Sequence, residues 1–194
     1  NLSDCSLNIE NSTIHNNNAN KDGGGININK SDLSLNKVTI SNNSSTSYSG
    51  GGIYVSGQSS EDIVDIKNSI ISFNTANTGS GIWSTTAQNV INIHYSNFYN
   101  TELDSSYHQC HNCSQELTTN NNILLNPLFT DSENEDYTLQ STSPCIDAGD
   151  PESDLDPDGT IADMGAYPFY QIPGCIDSNA INYDSNANMD DGSC

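Results

Sequence analysis

"LNIENSTIHNN" at residues 7–17 is followed by "LSLNKVTISNN" at 33–43, "VDIKNSIISFN" at 64–74 and "INIHYSNFYN" at 91–100. Laid over one another, these stretches put like residues in columns. The first column is Leu7, Leu33, Val64 and Ile91. The second is Ile9, Leu35, Ile66 and Ile93, and the third is Ile14, Ile40, Ile71 and Phe98. All three columns advance by the same steps of 26, 31 and 27 residues. Within each stretch apolar residues alternate with polar ones. That is the period of a strand with one buried face, not the 3.6-residue period of a helix. β-Branched side chains, which suit a pleated and half-buried surface, fill most of the columns.

A second block recurs between these stretches: "GGGI" at 23–26, "GGGI" at 50–53 and "GSGI" at 79–82. Asn, Ser, Gly and Thr fill the connections, as turns require. Such a repeat predicts an all-β parallel solenoid, a right-handed β-helix of about five to six coils, each rising by about 4.8 Å. The longer middle step fits an insertion at "SGQSSED" (56–62). Asn17, Asn43 and Asn74 share one column, and Asn16, Asn42 and Asn100 are aligned as another; both suit side-chain amide ladders. Short strands at regular spacing also suit a β-sandwich, but constant offsets in every column favour the solenoid. Leu2 precedes Leu7 by the same five residues that separate Ile28 from Leu33, so Leu2 reads as the end of a preceding coil. Strand edges open at that end invite pairing with another protein segment or another copy of the chain.

The 194 residues suffice for one moderate domain and a small appendage, and hydrophobic content is only 33%. Against 25 Asp and Glu stand four Lys and no Arg, for a formal net charge of −21. That balance argues against nucleic acid, whose phosphates call for basic patches, and against anionic membrane surfaces. No stretch approaches the roughly 18 apolar residues of a membrane span, so no membrane insertion is expected. Excess carboxylate suits divalent cations. Six cysteines suggest an oxidising compartment.

The columns and glycine blocks resemble the right-handed parallel β-helix of the pectin-lyase-like superfamily over about residues 1–170. "NPLFTDSENEDYTLQSTSPCIDAGDPE" (126–152) and "DPDGTIADMGAYPF" (156–169) resemble the closing coils of secreted bacterial β-helix proteins of the choice-of-anchor type, with Asn126 where Asp is usual. "GCIDSNAINYDSNANMDDGSC" (174–194) resembles a short module from the C-terminal regions of secreted bacterial proteins that use the type IX route. The resemblances imply a β-helix over 1–170 with an acidic closing cap at 126–170, then a disulfide-closed module at 171–194. They also imply an extracellular or cell-surface place on a bacterium.

The superfamily includes polysaccharide lyases and hydrolases, so catalysis has to be weighed. Lys21, Lys30, Lys37 and Lys67 are isolated, and Asp4, Glu10, Asp22, Asp32, Glu61, Asp62 and Asp65 never stack in adjacent coils. Paired carboxylates on one face are missing, and no catalytic residue is expected. "HQCHNC" offers His108, Cys110, His111 and Cys113, a set that could ligate zinc. His111 lies inside the C-x-x-C, however, and a disulfide-linked loop suits the compartment better. If Cys175 pairs with Cys194, then Cys5, Cys110, Cys113 and Cys145 allow three pairings that sequence leaves open.

"DLDPDG" (154–159) sets Asp154, Asp156 and Asp158 at positions 1, 3 and 5 of a loop with Gly at 6, the first half of an EF-hand-like calcium loop. Gly165 stands where Glu belongs, and Asp163 could close the shell instead. The bland reading is an acidic surface turn. The tail crowds Asp177, Asn182, Asp184, Asn186, Asn188, Asp190 and Asp191 into a segment with little to bury. It therefore calls for staples: a Cys175–Cys194 bridge, a Ca2+ ion and a miniature apolar anchor of Ala180, Ile181 and Tyr183. The bland reading there is a disulfide-closed spacer. Tyr48, Tyr54, Trp83, Tyr95 and Tyr99 are candidates for stacking on surface glycans. Together these readings describe a non-enzymatic, extracellular structural or adhesive segment, in one variant self-stacking into a filament. The alternative is part of a carbohydrate-active or carbohydrate-binding β-helix whose site lies in other coils.

Overall fold

A computed structural model describes residues 2–3, 5–57, 62–87, 90–100, 109–113 and 116–194. The chain enters with β1 (Leu2–Ser3) and winds through β2 (Ser6–His15), β3 (Asn18–Ala19) and β4 (Ile26–Asn29). The next coil is β5 (Asp32–Ser41), β6 (Ser44–Ser49) and β7 (Ile53–Ser56). A third holds β8 (Ile63–Lys67), β9 (Ile70–Ser72), β10 (Thr75–Thr78) and β11 (Ile82–Ser84), and a partial fourth holds β12 (Val90–His94), β13 (Asn97–Tyr99) and β14 (Cys110–His111). Every pairing among these strands is parallel. The first sheet stacks β2, β5, β8 with β9, and β12 with β13; the second stacks β3, β6 and β10; the third stacks β1, β4, β7, β11 and β14. The result is a parallel β-solenoid of about three full turns. That is fewer than five to six, because residues 126–170 leave the coil path.

The columns read from the repeat face one another rung by rung. Leu7 lies against Leu33, Leu33 against Val64 and Val64 against Ile91, and the second and third columns keep the same register. From the second coil onward these side chains are at most 6% exposed and form one continuous core. Each coil bends at corners of positive φ. Asn11, Lys37, Asn68 and Tyr95 form one corner column, with φ of 46°, 53°, 48° and 47°. Asn adopts this region readily; Lys and Tyr do so only where the packing over-determines them. The glycine blocks serve another corner. Gly50 turns it at φ 70°, and a Cβ on Gly51 would stand 2.5 Å from the Thr75 carbonyl oxygen.

After the solenoid, β15 (Phe129–Asp131) and β16 (Asp136–Leu139) form an antiparallel hairpin. This hairpin and the loops to Phe169 form a strap on the outward side of the first sheet. Beneath it lies a second core of Ile70, Phe129, Tyr137, Leu139, Cys145 and Met164, with Phe73, Tyr95 and Phe169 packed around it. The expected closing cap thus runs along the flank of the coils, because its apolar residues find the outward Ile70, Phe73 and Tyr95 rather than an open last rung. The tail pairs β17 (Pro173–Gly174) with β18 (Met189–Asp190), and a Cys175–Cys194 disulfide closes it. Among the described residues no helix is long and apolar enough to cross a membrane.

Candidate functional site

The two ends of the solenoid differ. Among the described residues β2 pairs only with β5, and β3 only with β6, so each leaves one edge without a partner. The apolar residues of this rung are only partly buried: Leu7, Ile9 and Ile14 pack against the core from one side. Their neighbours Leu33, Leu35 and Ile40 are at most 1% exposed. β1 stands one rung further out, beside β4, with Leu2 opposite Ile28. The open end is therefore a step, not a flat face.

The far end is covered over the first sheet, while β10 and β14 each pair with a single strand among the described residues. Residues 116–125 fold back over the last rung: Leu117 is 1% exposed in the core, and Ile123 bridges to Asn97. Ile123 N–H donates to Ser96 O at 3.0 Å, and its own carbonyl accepts Phe98 N–H at 2.9 Å.

An amide ladder connects the two ends and gives the solenoid a polarity. Asn17 Nδ2 donates to Asn43 Oδ1 at 2.9 Å, Asn43 to Asn74 at 3.0 Å, and Asn74 to Asn100 at 3.3 Å. Each oxygen also accepts the backbone N–H of the preceding Asn, at 3.0, 3.0 and 2.7 Å. Gln109 terminates the ladder: its Oε1 accepts Asn100 Nδ2 at 2.7 Å, and its Nε2 returns to Asn100 O at 3.0 Å. Asn100 thus belongs with Asn17, not with Asn16 and Asn42; Phe73, at φ 54°, follows those two. The last coil reaches its turn one residue sooner, and that shift misaligned the column. Gln109 leaves no periodic signal in the sequence, because it follows Asn100 by nine residues instead of a repeat length. At the open end, no donor among the described residues reaches Asn17 Oδ1.

Basic residues fasten the strap. Lys37 Nζ lies 2.6 Å from Asp156, whose side chain is 2% exposed, and Lys67 Nζ lies 2.5 Å from Asp150. Lys67 holds the Asp150 carboxyl below its usual range. Gly165 N–H donates to Asn68 O, Ala166 N–H to Thr39 Oγ1, and Asn42 Nδ2 to the Tyr137 hydroxyl. At the first coil Asn16 Nδ2 donates to Glu135, and the His15 ring packs on Tyr137. The sequence marks Lys37 and Lys67 only by rarity.

The loop carboxylates that suggested calcium have other partners. Asp156 takes Lys37 and the Asp163 N–H; Asp158 takes Thr160 and the Gln171 N–H. Asp163 accepts the N–H groups of Asp147 at 2.7 Å and Phe169 at 2.6 Å, and Asp154 is exposed at the surface, beside Glu152 and Lys37 in a shallow pocket. Burial pushes the Asp163 carboxyl up to about 6. A buried acid of this kind is the usual mark of a catalytic group. At 2% exposure, however, it is closed to a substrate and organises the strap. In the tail, Asp177, Asp184, Asp190 and Asp191 each accept the backbone N–H two residues on, from Asn179, Asn186, Gly192 and Ser193. Asn188 accepts Ile172 N–H and donates to Tyr170 O, and Asn182 donates to Ser193 O. Among the described residues no group of three or more His, Cys, Asp or Glu converges on a point that could hold a metal ion. The expected calcium thus has no preformed cluster of carboxylates among the described residues. Nor does the apolar anchor form: Ile181 is fully exposed and Tyr183 is 46% exposed, because turns and the disulfide hold the module instead.

Cys110 bonds to Cys113, which removes both thiols from any zinc site, and His108 lies outside the described residues, as do Asp4 and Glu61. Cys5 is free and exposed; Cys145 is free and buried under the strap, away from the Cys110 loop. Of the aromatic candidates, Tyr95 packs under the strap and Tyr99 sits edge-on against Phe73. Trp83 stacks on His111 with ring centroids 3.7 Å apart, which covers one of its faces, and only Tyr48 stands well exposed. Comparison of the chain with known protein families, curated proteins and solved structures finds no match.

Proposed function

We propose that the chain is a non-enzymatic structural or adhesive segment of a large secreted or cell-surface bacterial protein. Its role is that of a strapped β-solenoid shaft that joins other protein through the rung formed by β2 and β3. The observation that carries this reading is the first rung: β2 and β3 leave an edge unpaired among the described residues and in register with the core, while the last rung of the first sheet and its outward flank are covered. Two disulfides support an oxidising compartment. The resemblance of 126–169 and 174–194 to secreted bacterial proteins supports the surface location and the type IX route. A head-to-tail filament would first have to displace residues 116–125 from the last rung of the first sheet.

Calcium belongs to this proposal only if the ion draws the acidic side chains together, since no three of them converge as they stand among the described residues. Incubation with acidic and neutral polysaccharides, followed by product analysis, tests the non-enzymatic part. Unchanged substrates are expected; chain cleavage that copurifies with the protein through successive columns would overturn it.

A further inference from the structure

A cavity of about 290 Å³ opens where the strap meets the tail. Ile146, Phe169 and Met189 give it apolar sides, and Asp147 is the one charged residue that lines it. Asp147 is exposed and takes a left-handed φ of 52°, a region that Asp and Asn enter more readily than most residues. Its own N–H fixes it there by donating to the buried Asp163 at 2.7 Å. Gln171 Nε2 donates to Asp147 Oδ2 at 2.6 Å, and Gln171 is held in turn by its N–H on Asp158 at 2.8 Å. Asn188 holds the tail wall in place, accepting Ile172 N–H and donating to Tyr170 O.

The polar groups left over define the occupant. Among the described residues no donor reaches Asp147 Oδ1 or Gln171 Oε1, the hydroxyls of Ser141 and Thr142 are unbonded, and Asp147 forms no ion pair. A metal ion is too small for such a cavity and would find a single carboxylate in it. An anion would meet Asp147 in a chain of net charge −21. A neutral sugar needs donors for its own acceptors, and the two lining amides already turn theirs to Asp147 and Tyr170. An ammonium group carries three donors and no acceptor, so it uses what is left, while a methylene stem lies along apolar sides. A guanidinium pairs best with both oxygens of a carboxylate, and Gln171 occupies one of them. We propose that this cavity receives a lysine side chain of a partner protein. The ammonium sits on Asp147 Oδ1, with Gln171 Oε1 and a hydroxyl of Ser141 or Thr142 as its other acceptors, and the stem lies against Ile146, Phe169 and Met189. The site is independent of the first rung and adds a second point of attachment at the junction of strap and tail.

The test titrates Nα-acetyl-lysine N-methylamide into the full chain carrying isotope-labelled Ile and Met methyl groups. The Ile146 and Met189 methyl resonances should shift together, with a Kd of about 1 mM for so small a probe. Asp147→Asn keeps the backbone N–H to Asp163, suits the left-handed φ, and should weaken binding by about tenfold or more. Asp154→Asn removes an exposed carboxylate elsewhere on the strap and should leave binding unchanged, which separates docking from diffuse attraction to an acidic surface. Silent methyl resonances at about 20 mM probe overturn the proposal, as does equal weakening by the two substitutions. So does a methyl glucoside or the acetyl-arginine amide that shifts the same methyl groups at lower concentration, since the occupant would then be a sugar or a guanidinium.

Discussion

Asn74 shows what a single ladder residue does. Its Oδ1 accepts the backbone and side-chain N–H of Asn43, and its Nδ2 donates to Ile40 O and Asn100 Oδ1, all at 1% exposure. Truncation orphans several buried groups at once, and each unsatisfied group costs about 1–3 kcal/mol. Asn74→Ala should therefore lower unfolding free energy in urea by about 3 kcal/mol or more, whereas exposed Asn17→Ala should cost about 1 kcal/mol or less. Equal losses at the two positions would mean that burial does not set the value of the ladder. The ladder was legible in the sequence wherever the offset held, at Asn17, Asn43 and Asn74. It was not legible where geometry replaced periodicity, since Gln109 acts through position in space alone. Asp163 supplies the second residue-scale prediction. Its folded value near 6 lies above the ordinary 3.8, so the folded protein binds its proton first. Stability from this group is therefore lowest above pH 6, rises as pH falls toward about 4, and amounts to on the order of 2 kcal/mol. Asp150 and Asp158 act in the opposite sense, but only below pH 4, because their values are depressed. His111, held below its ordinary value by burial, opposes Asp163 in the same window, since stability is lost as pH falls below its ordinary 6.5. The change in midpoint from pH 7.5 to pH 5 should thus be less favourable in Asp163→Asn than in the wild type. Parallel pH profiles for the two proteins would rule the assignment out.

The strap is the element that repeat analysis could not place. Phe129, Tyr137, Leu139 and Met164 follow no period, and their partners on the shaft lie far away in sequence. Lys37 and Asp156, for example, are 119 residues apart. A solenoid without such a clasp is held by neighbour-to-neighbour contacts and can fray one coil at a time. The strap ties Asn16 of the first coil, Asn42 of the second and Asn68 of the third to one segment. Cys145 reports on it directly, because burial under the strap pushes the thiol up to about 12. Iodoacetamide should label Cys5 rapidly in the native protein and Cys145 only after strap opening. Lys37→Met leaves the Asp156 carboxylate buried without its counter-charge, a change that costs about 3 kcal/mol in comparable sites. Cys145 labelling should then accelerate while the solenoid strands keep their circular dichroism. Should Lys37→Met leave Cys145 as slow as before, the ion pair would not be what holds the strap.

For the whole molecule the dominating fact is a net charge of −21, with two of the four lysines committed to the strap seam. Uncompensated carboxylates repel one another most strongly in the compact state, and the range of that repulsion shrinks from about 30 Å at 0.01 M salt to about 8 Å at 0.15 M. The melting midpoint should therefore climb with sodium chloride over this range, against the usual weakening of surface ion pairs, because the chain has few such pairs to lose. Calcium provides the discriminating comparison. A divalent ion that merely screens should act through ionic strength, whereas one gathered by the tail must first draw together Asp177, Asp184, Asp190 and Asp191, whose carboxylates do not converge as they stand. At matched ionic strength, calcium chloride and sodium chloride should give the same midpoint, and excess chelator should change nothing. A calcium-specific rise reversed by chelator and abolished by Asp184→Asn would show that the tail reorganises around the ion, and that the disulfide-held turns are only its metal-free form.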